Sequence, residues 1–251
     1  MPSLRGHMVY LVRLRQALER ELPEVAAPVA AHWPCALLGC EAPDSHFFTE
    51  QTRPDLHMVD AQDPATWPGA VERWLDSQPQ LSPGRAQPPE TVAFVVGYLS
   101  HIGLDTWAEQ YLHPDFPAAA RRGLPDAWYP AAMAGGDRRR AALQRLAEAA
   151  VPAAYHVPLD AIRRAPLPAG VRAEPIRTIT AGILPALSLD DPWSQSRVQP
   201  LPGRAVTPDT PEARRLWESG RAAQAPATDA EMEALLSGAL AFTLHMIRRW
   251  W

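Results

Sequence analysis

Apolar residues recur at helical spacing in four long stretches of the chain, and none of the four is interrupted by proline. From Ser3 to Leu22, the residues Val9, Leu11, Val12, Leu14, Leu18 and Leu22 fall on one broad face. From Glu90 to His113, directly after Pro89, the same is true of Val92, Val95, Val96, Leu99, Ile102 and Trp107. A third window runs from Ala131 to Val151. The fourth, Ala227 to Trp251, carries Met232, Leu235, Leu236, Ala239, Leu240 and Thr243. Spacing of i, i+3 and i+4 marks a helix with one buried side. Shorter helices are predicted at Pro68 to Gln78 and at Pro211 to Gln224. Strand-like alternation is weak and confined to Val171 to Ile179. The predicted class is all-α, a multi-helix bundle with long Pro-rich loops.

Proline sets these boundaries, because its missing N–H and fixed φ break a helix interior. The chain has 28 prolines in 251 residues, so long helices belong in the proline-free windows. Between Pro152 and Pro226 the sequence is rich in Pro, Arg and Ala. It reads as loops and short helices laid over the bundle, a region able to line a substrate channel. No internal repeat is evident, and one domain over 1–251 is expected. A hydrophobic fraction of 47% is enough for a sizeable core.

Charge and missing residue types narrow the chemistry. A formal net charge of -4 argues against binding dominated by nucleic-acid phosphates. All 24 basic residues are Arg. Without Lys there is no Walker A loop, no Schiff-base chemistry, no Ser-Lys dyad and no ordinary protein kinase. No GxGxxG, GxSxG or HExxH string occurs. Cys35 and Cys40 have neither redox nor zinc-knuckle spacing and read as reduced, partly buried thiols. The longest mostly apolar stretch, Ala234 to Ile247, is shorter than the roughly 18 residues a bilayer span requires. With no leader-like start, a cytoplasmic location is expected.

Histidines and their acidic neighbours carry the candidate chemistry. His101 and Asp105 form an HxxxD pair within YLSHIGLDTW, and i, i+4 residues of a helix share a face. A buried Asp needs a partner or a metal, and His with carboxylate suits zinc. Asp44 lies in GCEAPDSHF, where Pro43 fixes a turn. His57 lies in PDLHMVDAQDP, read as an extended loop, and His7 opens the first helix after PSLRG.

Together these residues resemble the zinc-dependent phospholipase C superfamily, which includes single-strand nucleases with 3′-nucleotidase activity. PSLRGH, from Pro2 to His7, has the offset between terminal residue and His seen in the nuclease branch. LHMVDAQDP around His57 looks like that branch's LHxxDAxD, and GYLSHIGLD supplies the HxxxD helix. The likeness covers roughly the first 115 residues. It implies an all-helical fold and a cluster of zinc ions. Asp44, His57 and His101 would hold one ion, Pro2 and His7 a second, and Asp105 would bridge both. Removal of Met1 would free the Pro2 amine for this role. The implied activity is phosphodiester hydrolysis by metal-activated hydroxide, with Asp44 assisting as a base. The expected partner is a phosphoester, such as a phospholipid head group. Nucleic acid enters only if the protein is a nuclease or 3′-nucleotidase, and a third possibility is a metal-binding protein without turnover.

The pattern departs from the family at the third metal. Tyr111 stands where a His follows the bridging Asp, and His113 is two positions further on. The later pair His156 and Asp160 is interrupted by Pro158. Two zinc ions are therefore expected, with the ligands of a third incomplete. His46 and Glu109, and His113 as well, are candidates for extra ligands or for groups that support the ligands. His32 and His245 read as edge-of-core residues, and Arg138 to Arg140 as a solvated helix start. Arg248-Arg249-Trp250-Trp251 offers peripheral membrane contact or docks on the bundle.

Overall fold

The structure, a computed structural model, describes residues 4–47, 56–57, 73, 75–77, 87–111, 136–169, 171–177, 180 and 226–251. Every regular element among them is helical, so the all-α class holds. The four long windows become α1 (Leu4–Glu21), α4 (Pro89–Asp105), α5 (Gly136–Glu148) and α7 (Asp229–Trp250). Two further helices, α2 (Pro23–Ala31) and α3 (Trp33–Glu41), form where prolines argued against helix. Pro23 and Pro34 sit in the first turns, where no intrahelical N–H is needed. These prolines start helices rather than stop them, while Pro28 lies inside α2.

In the Pro-rich region, a 3-10 turn at Ala153–Tyr155 and α6 (Leu159–Arg164) are present, as expected of loops and short helices. Of Val171 to Ile179, where the alternation is strand-like, residues 173–177 are helical, and 178–179 lie outside the described residues. Of Pro68 to Gln78, residues 73, 75 and 76 are helical, and most of the rest lies outside the described residues, as does Pro211 to Gln224.

Helix α4 is the centre of the bundle, packed against α1, α2, α3 and α7. Everything from Thr91 to Asp105 is buried, which is why this helix is apolar nearly all round. Its closest neighbour is α3, and two glycines set the approach. A Cβ on Gly39 would stand 2.0 Å from the Phe94 carbonyl oxygen, and one on Gly97 would stand 2.0 Å from that of Ala36. The two backbones touch, which only residues without a side chain allow.

The remaining helices lock onto this pair. Tyr10 on α1 and Thr243 on α7 share a buried hydrogen bond of 2.7 Å. Arg5 donates from Nε to the Ala149 carbonyl just beyond α5 (2.8 Å). Helix α7 begins with a capping box between Thr228 and Glu231. Arg138 bonds Glu231 and the Pro226 carbonyl, so it secures a helix start instead of standing free for an anion. Arg138 and hydrogen bonds from Thr228 hold the Glu231 carboxyl down at about 2. At the far end of α7, Trp250 is buried and Trp251 is 48% exposed. No helix among the described residues is long and apolar enough to cross a membrane.

The α3–α4 contact makes the first prediction. Gly97→Ala must push two backbones apart, and overpacking of this kind costs about 1–3 kcal/mol. In a chain of this size that corresponds to a melting temperature lower by roughly 2–12 °C. A calorimetric Tm equal to that of the wild type would show that the helices do not meet as described.

Candidate metal centre

The site gathers at the C-terminal end of α4. His101 and Asp105 stand one turn apart on this helix, and both are buried. His7, in the second turn of α1, lies flat on His101 with ring centroids 3.6 Å apart and planes within 3°. Asp44 comes from a 3-10 turn at Pro43–Phe47 that directly follows α3. His57 sits in a helical pair of residues, not the extended loop its sequence predicts. The Tyr98 hydroxyl on α4 donates to the Leu56 carbonyl and so pins that segment.

Five side chains from four segments thus meet in one buried place. His57 Nε2 lies 3.5 Å from Asp44 Oδ1, 3.4 Å from Asp105 Oδ2 and 3.2 Å from His101 Nε2. His101 Nε2 is 3.7 Å from both Asp44 Oδ1 and Asp105 Oδ2. On the other side, His7 Nε2 is 3.3 Å from Asp105 Oδ1. Two groups result, His7–His101–Asp105 and Asp44–His57–His101, each with donor atoms within 4.8 Å of one another.

Hydrogen bonding decides what these donors can do. His101 Nδ1 lies 2.6 Å from the Cys40 carbonyl oxygen, which can only accept. That nitrogen therefore carries the proton, and the lone pair of Nε2 points into the cluster. A ring fixed by a backbone carbonyl behind it is the usual support of a metal-binding His. His7 Nδ1 and His57 Nδ1 find no hydrogen-bond partner among the described residues, so both rings are held by what their Nε2 atoms face. Imidazole nitrogens and carboxylate oxygens at this spacing fit a divalent transition metal such as zinc.

Because His101 has one lone pair to give, it serves one ion at a time although it belongs to both groups. Asp105 has two oxygens turned to opposite sides, Oδ1 to His7 and Oδ2 to His57 and His101. A pair of ions would be joined by this carboxylate.

Electrostatics agree with that division. Burial alone would raise the Asp44 carboxyl, but His101 and His57 beside it hold it below the ordinary carboxylate range. Burial likewise opposes ionisation of Asp105, and hydrogen bonds with His57 and His7 overcome it. Burial, helped by the positive potential of His7, pushes His101 down to about 3, so it stays neutral and ready to donate its lone pair. For His57, burial is outweighed by the two carboxylates, and its basicity is raised.

Of the residues singled out in the sequence, His7, Asp44, His57, His101 and Asp105 come together. His46 joins their edge: its Nδ1 lies 3.1 Å from the Pro43 carbonyl and 4.0 Å from Asp44 Oδ1, and its ring stands edge-on to His57. Glu109 lies in a π-helical turn at Thr106–Tyr111, and its side chain lies outside the described residues. Pro2 and His113 lie outside them entirely. His156 and Asp160 do not share a helix. His156 is extended and bonds the Val151 carbonyl at 2.9 Å, while Asp160 lies in α6 after Pro158.

Two contributors and one buried acid went unnoticed in the sequence. The Cys40 carbonyl leaves no trace there, since every residue has one. Tyr98 reads as one more core aromatic. Glu41 did leave a sign, as an acid closing an otherwise apolar run, WPCALLGCE, and it is fully buried. Compared with protein-family models, curated proteins and solved structures, the chain has no match.

The raised basicity of His57 fixes a pH dependence. Metal binds the neutral ring, so below the raised pKa a proton competes for Nε2 and affinity falls as pH falls. His101 is already neutral in this range and contributes no proton. Zinc affinity measured by chelator competition should level off at high pH and drop about tenfold per unit below the His57 pKa. A flat profile down to about pH 5 would remove His57 from the ligand set.

Proposed function

We propose that this chain is a zinc-dependent hydrolase of phosphoester bonds, of the phospholipase C type. The observation that carries the reading is the carboxylate of Asp105, with one oxygen turned to His7 and the other to His57 and His101. It is the arrangement a two-ion centre needs. It is supported by the order His7, Asp44, His57, His101, Asp105 along the chain, which matches the order implied by the sequence resemblance. The phospholipase-like helical fold and the choice of zinc over other divalent ions belong to the same proposal.

Bound zinc would supply a water of lowered pKa and a clamp on the phosphoryl oxygens. The chain's own residues do the rest. Asp44, His57 and His101 would hold one ion, and His7, with the amine of Pro2 that the sequence resemblance implies, the other, with Asp105 between them. Asp44 turns Oδ1 to His57 and His101, and its carboxylate would be the base that takes a proton from the attacking water. His46 and the Cys40 carbonyl keep these ligands in place. Burial of His7, Asp44, His57, His101 and Asp105 excludes bulk water from the charges and strengthens each interaction.

Asp105→Asn keeps the shape but weakens the bridge. It should lower zinc content below two equivalents and slow hydrolysis by roughly a hundredfold or more. The test uses protein tagged only at its C-terminus, elemental analysis, and a panel of choline phospholipid, 3′-nucleotide and single-stranded DNA. Hydrolysis of the nucleotide or DNA alone would move the reading to the nuclease branch. Zinc-loaded protein that turns over none of the three would be a metal-binding protein without catalysis.

A further inference from the structure

Glu41 is a carboxylic acid in a place where the local structure offers it no charged partner of opposite sign. It is the last residue of α3 and is fully buried, and its carboxyl meets the thiol of the neighbouring Cys40, a weak donor, while no N–H or O–H among the described residues is aimed at either oxygen. Burial, and next the charge of Asp44, push its carboxyl well above the usual range. An apolar residue of similar size would fill the same space without that strain. Without a cation nearby such a group stays protonated, and a cation brought close would favour its charged form.

The surroundings supply one candidate. Along the chain Glu41 directly follows Cys40, whose carbonyl bonds His101 at 2.6 Å, and comes three residues before Asp44 in the next turn, so its backbone is tied to the centre from both sides. Two divalent ions bring four positive charges into this buried place. His7, His57 and His101 bind as neutral donors, and Asp44 and Asp105 return only two negative charges. A third carboxylate would leave a single positive charge, suited to an anionic phosphoester. Resting on the two-ion reading above, we propose that Glu41 is the charge-balancing carboxylate of the metal centre, a positioning residue that lets the second cation bind beside the first. It acts across space on the ions and is not itself one of the donors of either group.

Zinc titration of the whole protein against a competing chelator tests this, comparing wild type with Glu41→Gln and Glu41→Asp. The second zinc should bind Glu41→Gln roughly 10- to 100-fold more weakly. Glu41→Asp, which keeps the charge, should recover most of that loss. The metal-free Gln variant should melt no lower than the metal-free wild type, which separates a charge effect from damage to the fold. If Gln is not tolerated, Glu41→Met gives the same comparison with an apolar side chain of similar volume. Two zinc ions bound alike by wild type and the neutral variant would overturn this inference and leave the two-ion centre standing. A wild type that binds fewer than two would overturn both.

Discussion

The hydrogen bond from His101 Nδ1 to the Cys40 carbonyl, at 2.6 Å, is the contact on which the centre depends. It sets the tautomer of the ring and aims Nε2 at Asp44, His57 and Asp105. It exists because α3 and α4 approach to backbone contact at Gly39 and Gly97, bringing the carbonyl next to Gly39 within reach of a ring one turn beyond Gly97. Two glycines that never touch a metal therefore decide the orientation of a residue shared by both ligand groups. A wider helix crossing would leave His101 buried but unheld, free to turn its protonated nitrogen inward.

What surrounds that ring is poor material for a stable core. Three imidazoles and two carboxylates are taken out of water in one place, and a set of apolar side chains would hold the helices together at lower cost. The carboxylates stay ionised only because the histidines face them, and His57 is made more basic by the same contacts. Such mutual dependence means that loss of one member leaves the others uncompensated. A metal ion would resolve the conflict, since it would satisfy both lone pairs and charges at once. Its binding would then add directly to the stability of the folded chain.

Much of this was legible in the sequence, for definite reasons. Helices α1, α4, α5 and α7 announce themselves through long apolar stripes and the absence of proline. The HxxxD pair on α4 follows from i, i+4 geometry alone. The helices α2 and α3 were hidden, because proline was read as a breaker where it is an initiator, and because α3 is buried on all sides and so shows no stripe. Asp44 and His57 could be named only through their likeness to a family's strings, since neither position has a periodicity to predict it. The supporting groups were hardest. A backbone carbonyl has no signature, and the Tyr98 hydroxyl that fixes Leu56 is indistinguishable in sequence from any packed aromatic.

The ligands also divide by how firmly they are held. His7, His101 and Asp105 stand on α1 and α4, two long helices anchored by the core and by the Tyr10–Thr243 bond, so their mutual geometry is set before any ion arrives. Asp44 stands on a short 3-10 turn, and His57 on residues 56–57, outside these two long helices. The α4 helix widens into a π-helical turn immediately after Asp105, a local change often found where a helix serves a site. Precision therefore resides in the bridging carboxylate and its two long-helix neighbours. Asp44 and His57, the two candidate ligands outside the helical frame, would complete the group with His101 if an ion bound there.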